Sequence, residues 1–279
     1  MHFVCKVSYV EINKHERKLD TKWKEISMRI IISPAKKMKV DTDSFGYLNH
    51  PQFLQDTEIL LSYLRELSYE EAKLLWNCND KIAELNYERI RKMDLYRSLT
   101  PAILSYEGIQ YQYMAPGVFQ TEELQYLEEH LRILSGFYGV LRPFDGVVPY
   151  RLEMQAKLQC DDFSTLYEFW NHKLAELLFS ESQCIINLAS KEYSKCISKY
   201  QKERIKFITC VFGEWNGDKI IEKGTQVKMA RGEMVRYMAE KQIKDVEQIK
   251  SFNRSNYSFS EELSEVDTYV FVKGENSLC

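Results

Sequence analysis

The run CIINLASKEY, residues 184–193, decides the fold. Cys184, Ile185, Ile186 and Leu188 form a short, continuously apolar segment, the pattern of a strand buried on both faces. The polar residues from Ala189 to Tyr193 then open a helix. Strand, polar turn and helix amino terminus bring free backbone N–H groups and the positive end of a helix dipole to one place, which suits an anion. Ser190 stands at that point, without a Gly-rich phosphate loop around it.

Strands of the same kind lie to either side. Arg29–Ile32 precedes Ser33-Pro34 and the basic stretch Ala35-Lys36-Lys37-Met38-Lys39. Lysines following a strand's carboxyl end sit where open α/β sheets bind ligands. Ile205–Phe212 reads as a strand, and Asn216-Gly217 favours a tight hairpin into Lys219–Ile221. Thr268–Lys273 reads as a last strand, after a helix over Asp245–Phe252.

Between the strands the period turns helical. Leu60, Leu61, Leu64 and Leu67 share one face. Ser68 and Glu71 have capping-box spacing at the start of a short helix ending near Trp76. Asn77-Cys78-Asn79-Asp80 turns the chain into a second helix toward Met93, so the pair makes a helix-hairpin-helix-like element that lacks the usual glycine. Tyr106–Tyr111 reads as an aromatic turn. A helix from Thr121 is expected to point Leu124, Leu127, Leu131 and Leu134 inward and to end at Gly136. Another runs from Leu166 to about Phe179.

SGFYGVLRPFDGVVPYRLEM, residues 135–154, has neither period, and reads as an ordered loop that both packs and binds. Tyr138 and Phe144 would hold it, with Arg142 and Arg151 toward a ligand. Over residues 228–236, Lys228 and Arg231 lie about 60° apart on a helix, while Arg236 is roughly 140° from Arg231. Either Gly232 breaks that helix or Arg236 has a partner of its own.

One α/β mixed (α+β) domain over residues 28–273, a central mixed sheet surrounded by helices, accounts for these elements. Residues 1–27 read as an amino-terminal extension outside the core fold, and 274–279 as a frayed tail. The chain has 279 residues and a net charge of −3, which does not announce a nucleic-acid binder, although a basic cleft on a near-neutral protein remains open. Seven scattered cysteines, with no CxxC and no pairing with histidine, fit a reducing cytoplasm. No apolar run reaches membrane-spanning length.

The chemistry is narrowed by what is missing. The histidines show no HExxH or comparable spacing, so no metal site or cofactor is expected. There is no GxSxG elbow and no Walker or dinucleotide fingerprint. What accumulates at turns and element ends is a set of phosphate-type ligands: Lys36, Lys37, Arg142 and Arg151, then Lys228 and Arg231, with Tyr150 and Tyr193 among them. Asp145, Glu153 and Glu192 stand in the same stretches and would either orient the arginines or work as acid/base groups.

At these residues the chain resembles the YaaA peroxide-stress protein family. The resemblance is carried by SPAKKM at 33–38, YEGIQY at 106–111, the 135–154 string, LYEFW at 166–170, INLASKEYSK at 186–195 and KMARGEMVRY at 228–237. It implies a cytosolic protein of the hydrogen-peroxide response whose loss raises intracellular iron. It also implies binding of duplex or branched DNA through a basic cleft, on an unusual α/β fold with a helix-hairpin-helix element. A monomer is expected, with DNA as partner. The alternative is an enzyme acting on a nucleotide or nucleic-acid base, with Glu153, Glu192 or Asp145 as acid/base.

Overall fold

The computed structural model describes residues 28–274, apart from 159 and 161. The expected extension over 1–27 and all but the first residue of the expected tail lie outside the described residues. Gly274 itself is tied back, its N–H donating to the Asn256 carbonyl at 2.8 Å.

In chain order the strands are β1 (Met28–Ile32), β2 (Lys37–Met38), β3 (Thr100–Pro101), β4 (Tyr106–Glu107), β5 (Leu131–Ser135), β6 (Gly139–Leu141) and β7 (Gly146–Val147). They continue with β8 (Cys184–Leu188), β9 (Lys206–Asn216), β10 (Lys219–Ile221), β11 (Tyr257–Phe259) and β12 (Thr268–Lys273). The first helices are α1 (Leu54–Glu66), α2 (Tyr69–Trp76), α3 (Asp80–Lys92), α4 (Ala102–Ser105) and α5 (Ile109–Met114). After them come α6 (Thr121–His130), α7 (Leu166–Trp170), α8 (Lys173–Glu181), α9 (Lys191–Ser198) and α10 (Gly224–Glu240).

The main sheet runs β11-β12-β9-β8-β1-β5-β6, with β10 folded back on β9. Its centre, from β12 to β5, is parallel, and β11 and β6 close the edges antiparallel. The sheet is therefore mixed, in one α/β domain. All five residues of β8 and of β5 are buried, as parallel strands covered on both faces require. The chain passes from β1 to β5 on one side and from β8 to β9 on the other. The strand order thus reverses between β1 and β8, and in open α/β sheets a crevice opens at the carboxyl ends of such a pair.

Several expectations are corrected. The helix from Thr121 stops at His130, and Leu131 and Leu134 belong to β5. A fully buried strand and a buried helix face are both plain apolar runs, so the leucine spacing did not separate them. Gly136 ends no helix. It lies in the β5–β6 turn, where a Cβ would come within 2.5 Å of the Leu152 carbonyl oxygen. The 135–154 string contains β6 and β7, and Tyr106–Tyr111 is half strand and half helix. The helix from Leu166 breaks at Asn171, whose φ is 43°. Val246–Ser251 is a 3-10 helix, and β11 had no legible signal.

Other readings hold in detail. Ser68 and Glu71 form the reciprocal capping box of α2. Asn77 ends α2 in the left-handed conformation that glycine usually supplies, and Asn79 caps α3. Gly217, φ 60°, makes the tight turn between β9 and β10. Tyr138 and Phe144 are buried and hold the long loop. The helix through Gly232 is continuous, and Arg236 has its own partner in Glu240 at 2.7 Å. Among the described residues no helix is long and apolar enough to cross a membrane.

Candidate functional site

At the reversal between β1 and β8 lies a cleft of about 430 Å³. Its first wall is the segment leaving β1. Ser33 ties the two strand ends together: its hydroxyl accepts from the Ser190 N–H at 2.8 Å and donates to the Ser190 hydroxyl at 3.2 Å. Its carbonyl accepts from the Tyr111 hydroxyl at 3.0 Å. Ser190 caps α9 without a side-chain bond to the first turn, because the hydroxyl is engaged with Ser33.

The second wall is the end of the long loop. Gly136 lets the Leu152 carbonyl approach the β5–β6 turn, and this brings Arg151 and Glu153 over the cleft. Tyr150 is buried beneath them. Its hydroxyl pairs with the Ser135 hydroxyl at 2.6 Å and the Tyr106 hydroxyl at 2.8 Å. Burial pushes the Tyr150 phenol up to about 12 and the Tyr193 phenol well above its usual range, so both stay neutral.

The third wall is α10 laid against α5. A Cβ on Gly232 would come within 2.2 Å of the Gln110 carbonyl oxygen, so only glycine allows this approach. The approach places Lys228 and Arg231 opposite Gln110 across the same cavity. Arg231 is mostly buried, and the loss of hydration lowers its affinity for its proton, opposed by Glu222 at 3.9 Å.

Glu153 is the electrostatic centre. Its Oε1 lies 3.2 Å from Lys36 Nζ and 3.2 Å from an Arg151 terminal nitrogen, yet has no aligned hydrogen bond to either. Both cations lie within Coulombic reach of the carboxylate without hydrogen-bond alignment. Arg151 also donates to the Trp76 carbonyl at 3.5 Å, linking the cleft to the last turn of α2. Lys37 pairs with Glu107 at 3.0 Å on the rim. Glu192 accepts from the Gln155 N–H at 3.3 Å, and burial followed by the charge of Glu153 raises its carboxyl.

The buried donors Arg151 Nε, Arg231 Nε and Gln110 Nε2 have no hydrogen-bond partner, although all three residues line the cleft. An unmet buried donor costs about 1–3 kcal/mol, which a ligand acceptor would recover. Five cations line the cavity, Lys36, Lys37, Arg151, Lys228 and Arg231, against Glu107, Glu153 and Glu192. The local balance is positive on a chain whose net charge is −3.

The structure thus brings together ten of the twelve residues singled out from sequence: Lys36, Lys37, Tyr150, Arg151, Glu153, Ser190, Glu192, Tyr193, Lys228 and Arg231. Arg142 and Asp145 stand apart. Asp145 accepts from the Arg142 backbone N–H at 2.9 Å and from Arg142 Nε at 3.2 Å, closing a turn rather than facing the cleft. Burial pushes the Asp145 carboxyl up to about 6, while Arg142 holds it down. Ser33 and Gln110 were not singled out as site residues. Gln110 follows Gly108, and a Cβ on Gly108 would come within 3.0 Å of the Ala35 Cβ, which is the local mark of a close approach at the cleft.

Comparison with known proteins agrees with this frame. A family model described as peroxide stress protein YaaA matches residues 28–263. A UPF0246 protein of Lachnoclostridium phytofermentans is 57% identical over 251 residues, spanning 90% of this chain and 98% of the relative. A UPF0246 protein of Pediococcus pentosaceus is 52% identical over 248 residues, spanning 89% and 99%. With a match from the first core strand to beyond the last helix, and relatives covered almost end to end, the chain belongs to the peroxide stress protein YaaA family.

Proposed function

We propose that this protein serves the hydrogen-peroxide response in the cytoplasm by binding duplex or branched DNA through the cleft, and so protects DNA while free intracellular iron is limited. The observation that carries the reading is the pair of buried guanidinium Nε groups, on Arg151 and Arg231, left without a partner in a cavity rimmed by lysines. Arginine forks match phosphate, and lysines at a rim steer a polyanion toward it. The α2–α3 hairpin supplies a second contact, since Arg151 joins its last turn to the cleft.

Titrating a labelled duplex and a four-way junction at several salt concentrations tests this. Each phosphate neutralised steepens the decline of log K with log salt by about 0.9. Lys228→Gln, at an exposed rim position, flattens that slope by about one unit. Binding that ignores salt, or that is undetectable at low salt, refutes the reading.

A second reading, catalysis on a nucleotide or its base, is favoured by Glu192, a carboxyl raised by burial in the same cleft. It requires turnover that Glu192→Gln abolishes with binding intact. Unchanged peroxide survival of cells carrying that variant removes it.

A further inference from the structure

The unmet groups of the cleft are not all donors. Arg151 Nε, Arg231 Nε and Gln110 Nε2 ask for acceptors, while Glu153 Oε1, ion-paired at 3.2 Å with Lys36 and Arg151, has no aligned hydrogen bond. The sugar-phosphate backbone of DNA offers only acceptors along its length. N–H donors lie on the base edges, where cytosine N4 and adenine N6 are natural partners of a carboxylate. A carboxylate oxygen that lacks an aligned hydrogen bond has room in its geometry for a base N–H.

Size points the same way. About 430 Å³ is the range of small-molecule sites, room for one nucleotide and far too little for a paired duplex. Tyr111 and Tyr193 line the same space, both buried and neutral, so part of its wall is aromatic and uncharged.

We propose that the cleft seats a single nucleotide turned out of the DNA strand or standing at its end. Its phosphate lies among Arg151, Arg231 and Lys36, and a base N–H donates to Glu153. This rests on the DNA reading and narrows it: the rim lysines hold the duplex while the cleft takes one unpaired unit. DNA with an unpaired nucleotide is preferred because nothing has to be unpaired to fill the site.

The test uses the full chain. Anisotropy titrations compare a fully paired duplex with the same duplex carrying one bulged nucleotide. dCMP, dAMP and inorganic phosphate then serve as competitors. The expected result is about tenfold tighter binding of the bulged duplex, with competition by dCMP or dAMP and none by phosphate at equal concentration. Glu153→Gln, which keeps one acceptor oxygen but loses the carboxylate charge, should reduce the bulge preference. The wild-type competition stands without that variant should it fold poorly. Equal affinity for the two duplexes with no mononucleotide competition overturns the single-nucleotide site and leaves the DNA reading standing. Mononucleotide binding with no DNA binding keeps the pocket and refutes the DNA reading. Competition by inorganic phosphate equal to that of dCMP reduces the site to an anion site and overturns the proposal.

Discussion

Arg151 and Glu153 are two residues apart on one extended strap, and the guanidinium of the first lies 3.2 Å from the carboxylate of the second. Both side chains are about nine-tenths buried. Arg151 also serves the Trp76 carbonyl, and Glu153 also serves Lys36. The pair therefore joins the long loop, the segment after β1 and the α2–α3 hairpin around one cavity.

Arg151→Ala removes the cation and leaves Glu153 with the exposed Lys36 alone. Losing one partner of a buried pair costs about 3 kcal/mol. Urea unfolding should show that loss, and DNA affinity should fall with it. A change below about 0.5 kcal/mol, the range of ordinary surface substitutions, would mean the pair carries no structural weight.

Gly232→Ala should destabilise the protein although alanine favours helices. Its Cβ would stand 2.2 Å from the Gln110 carbonyl oxygen, so α10 must move away from α5. Overpacking of this kind costs about 1–3 kcal/mol. Gly224→Ala, where nothing lies within 4 Å, is the matched control and should be neutral or slightly stabilising. Denaturation midpoints of the two variants measured side by side decide it.

Ser68→Ala removes the side-chain half of the α2 capping box. The expected cost is about 1 kcal/mol. Amide exchange should locate the loosening in the α2–α3 hairpin and leave β1 and β8 unaffected. Uniform loss of protection across the sheet would contradict a local role.

Asp145 gives a pH dependence. Its folded carboxyl is raised from 3.8 to about 6, chiefly by burial and against the pull of Arg142. Between those values the folded state holds a proton that the unfolded state has released, so stability falls as pH rises through this window. The contribution is fully present below about pH 4 and gone above about pH 6. Glu128 is raised by burial and by Asp145 and reinforces the trend. Asp145→Asn should remove most of that slope in unfolding free energy between pH 4 and 6. An unchanged slope would assign it to other groups.

Much of the architecture was legible because it rests on local signals. The apolar runs of β1 and β8, the Ser68–Glu71 cap and the hairpin turn at Gly217 each have a cause within a few residues. Most residues that line the cleft were legible too, because cations and tyrosines beside strand ends and turns carry a recognisable chemistry. Where the burial pattern was uniform, locality failed. Leu131 and Leu134 satisfied a helical spacing and a buried strand alike, and only pairing with β1 selected the strand.

The sequence by itself determined which elements exist around the cleft and which charges are available to it. The tertiary structure decided which of those charges meet. Arg142 and Arg151 read alike along the chain, but Arg142 is taken up by the four-residue turn that ends at Asp145 and Arg151 is carried over the cavity by the strap that Gly136 admits. Gln110 became part of the site only because Gly232, more than a hundred residues away, leaves room for two helix backbones to touch. Burial and long-range proximity decide whether a donor keeps its partner, and neither is written in the spacing of neighbours.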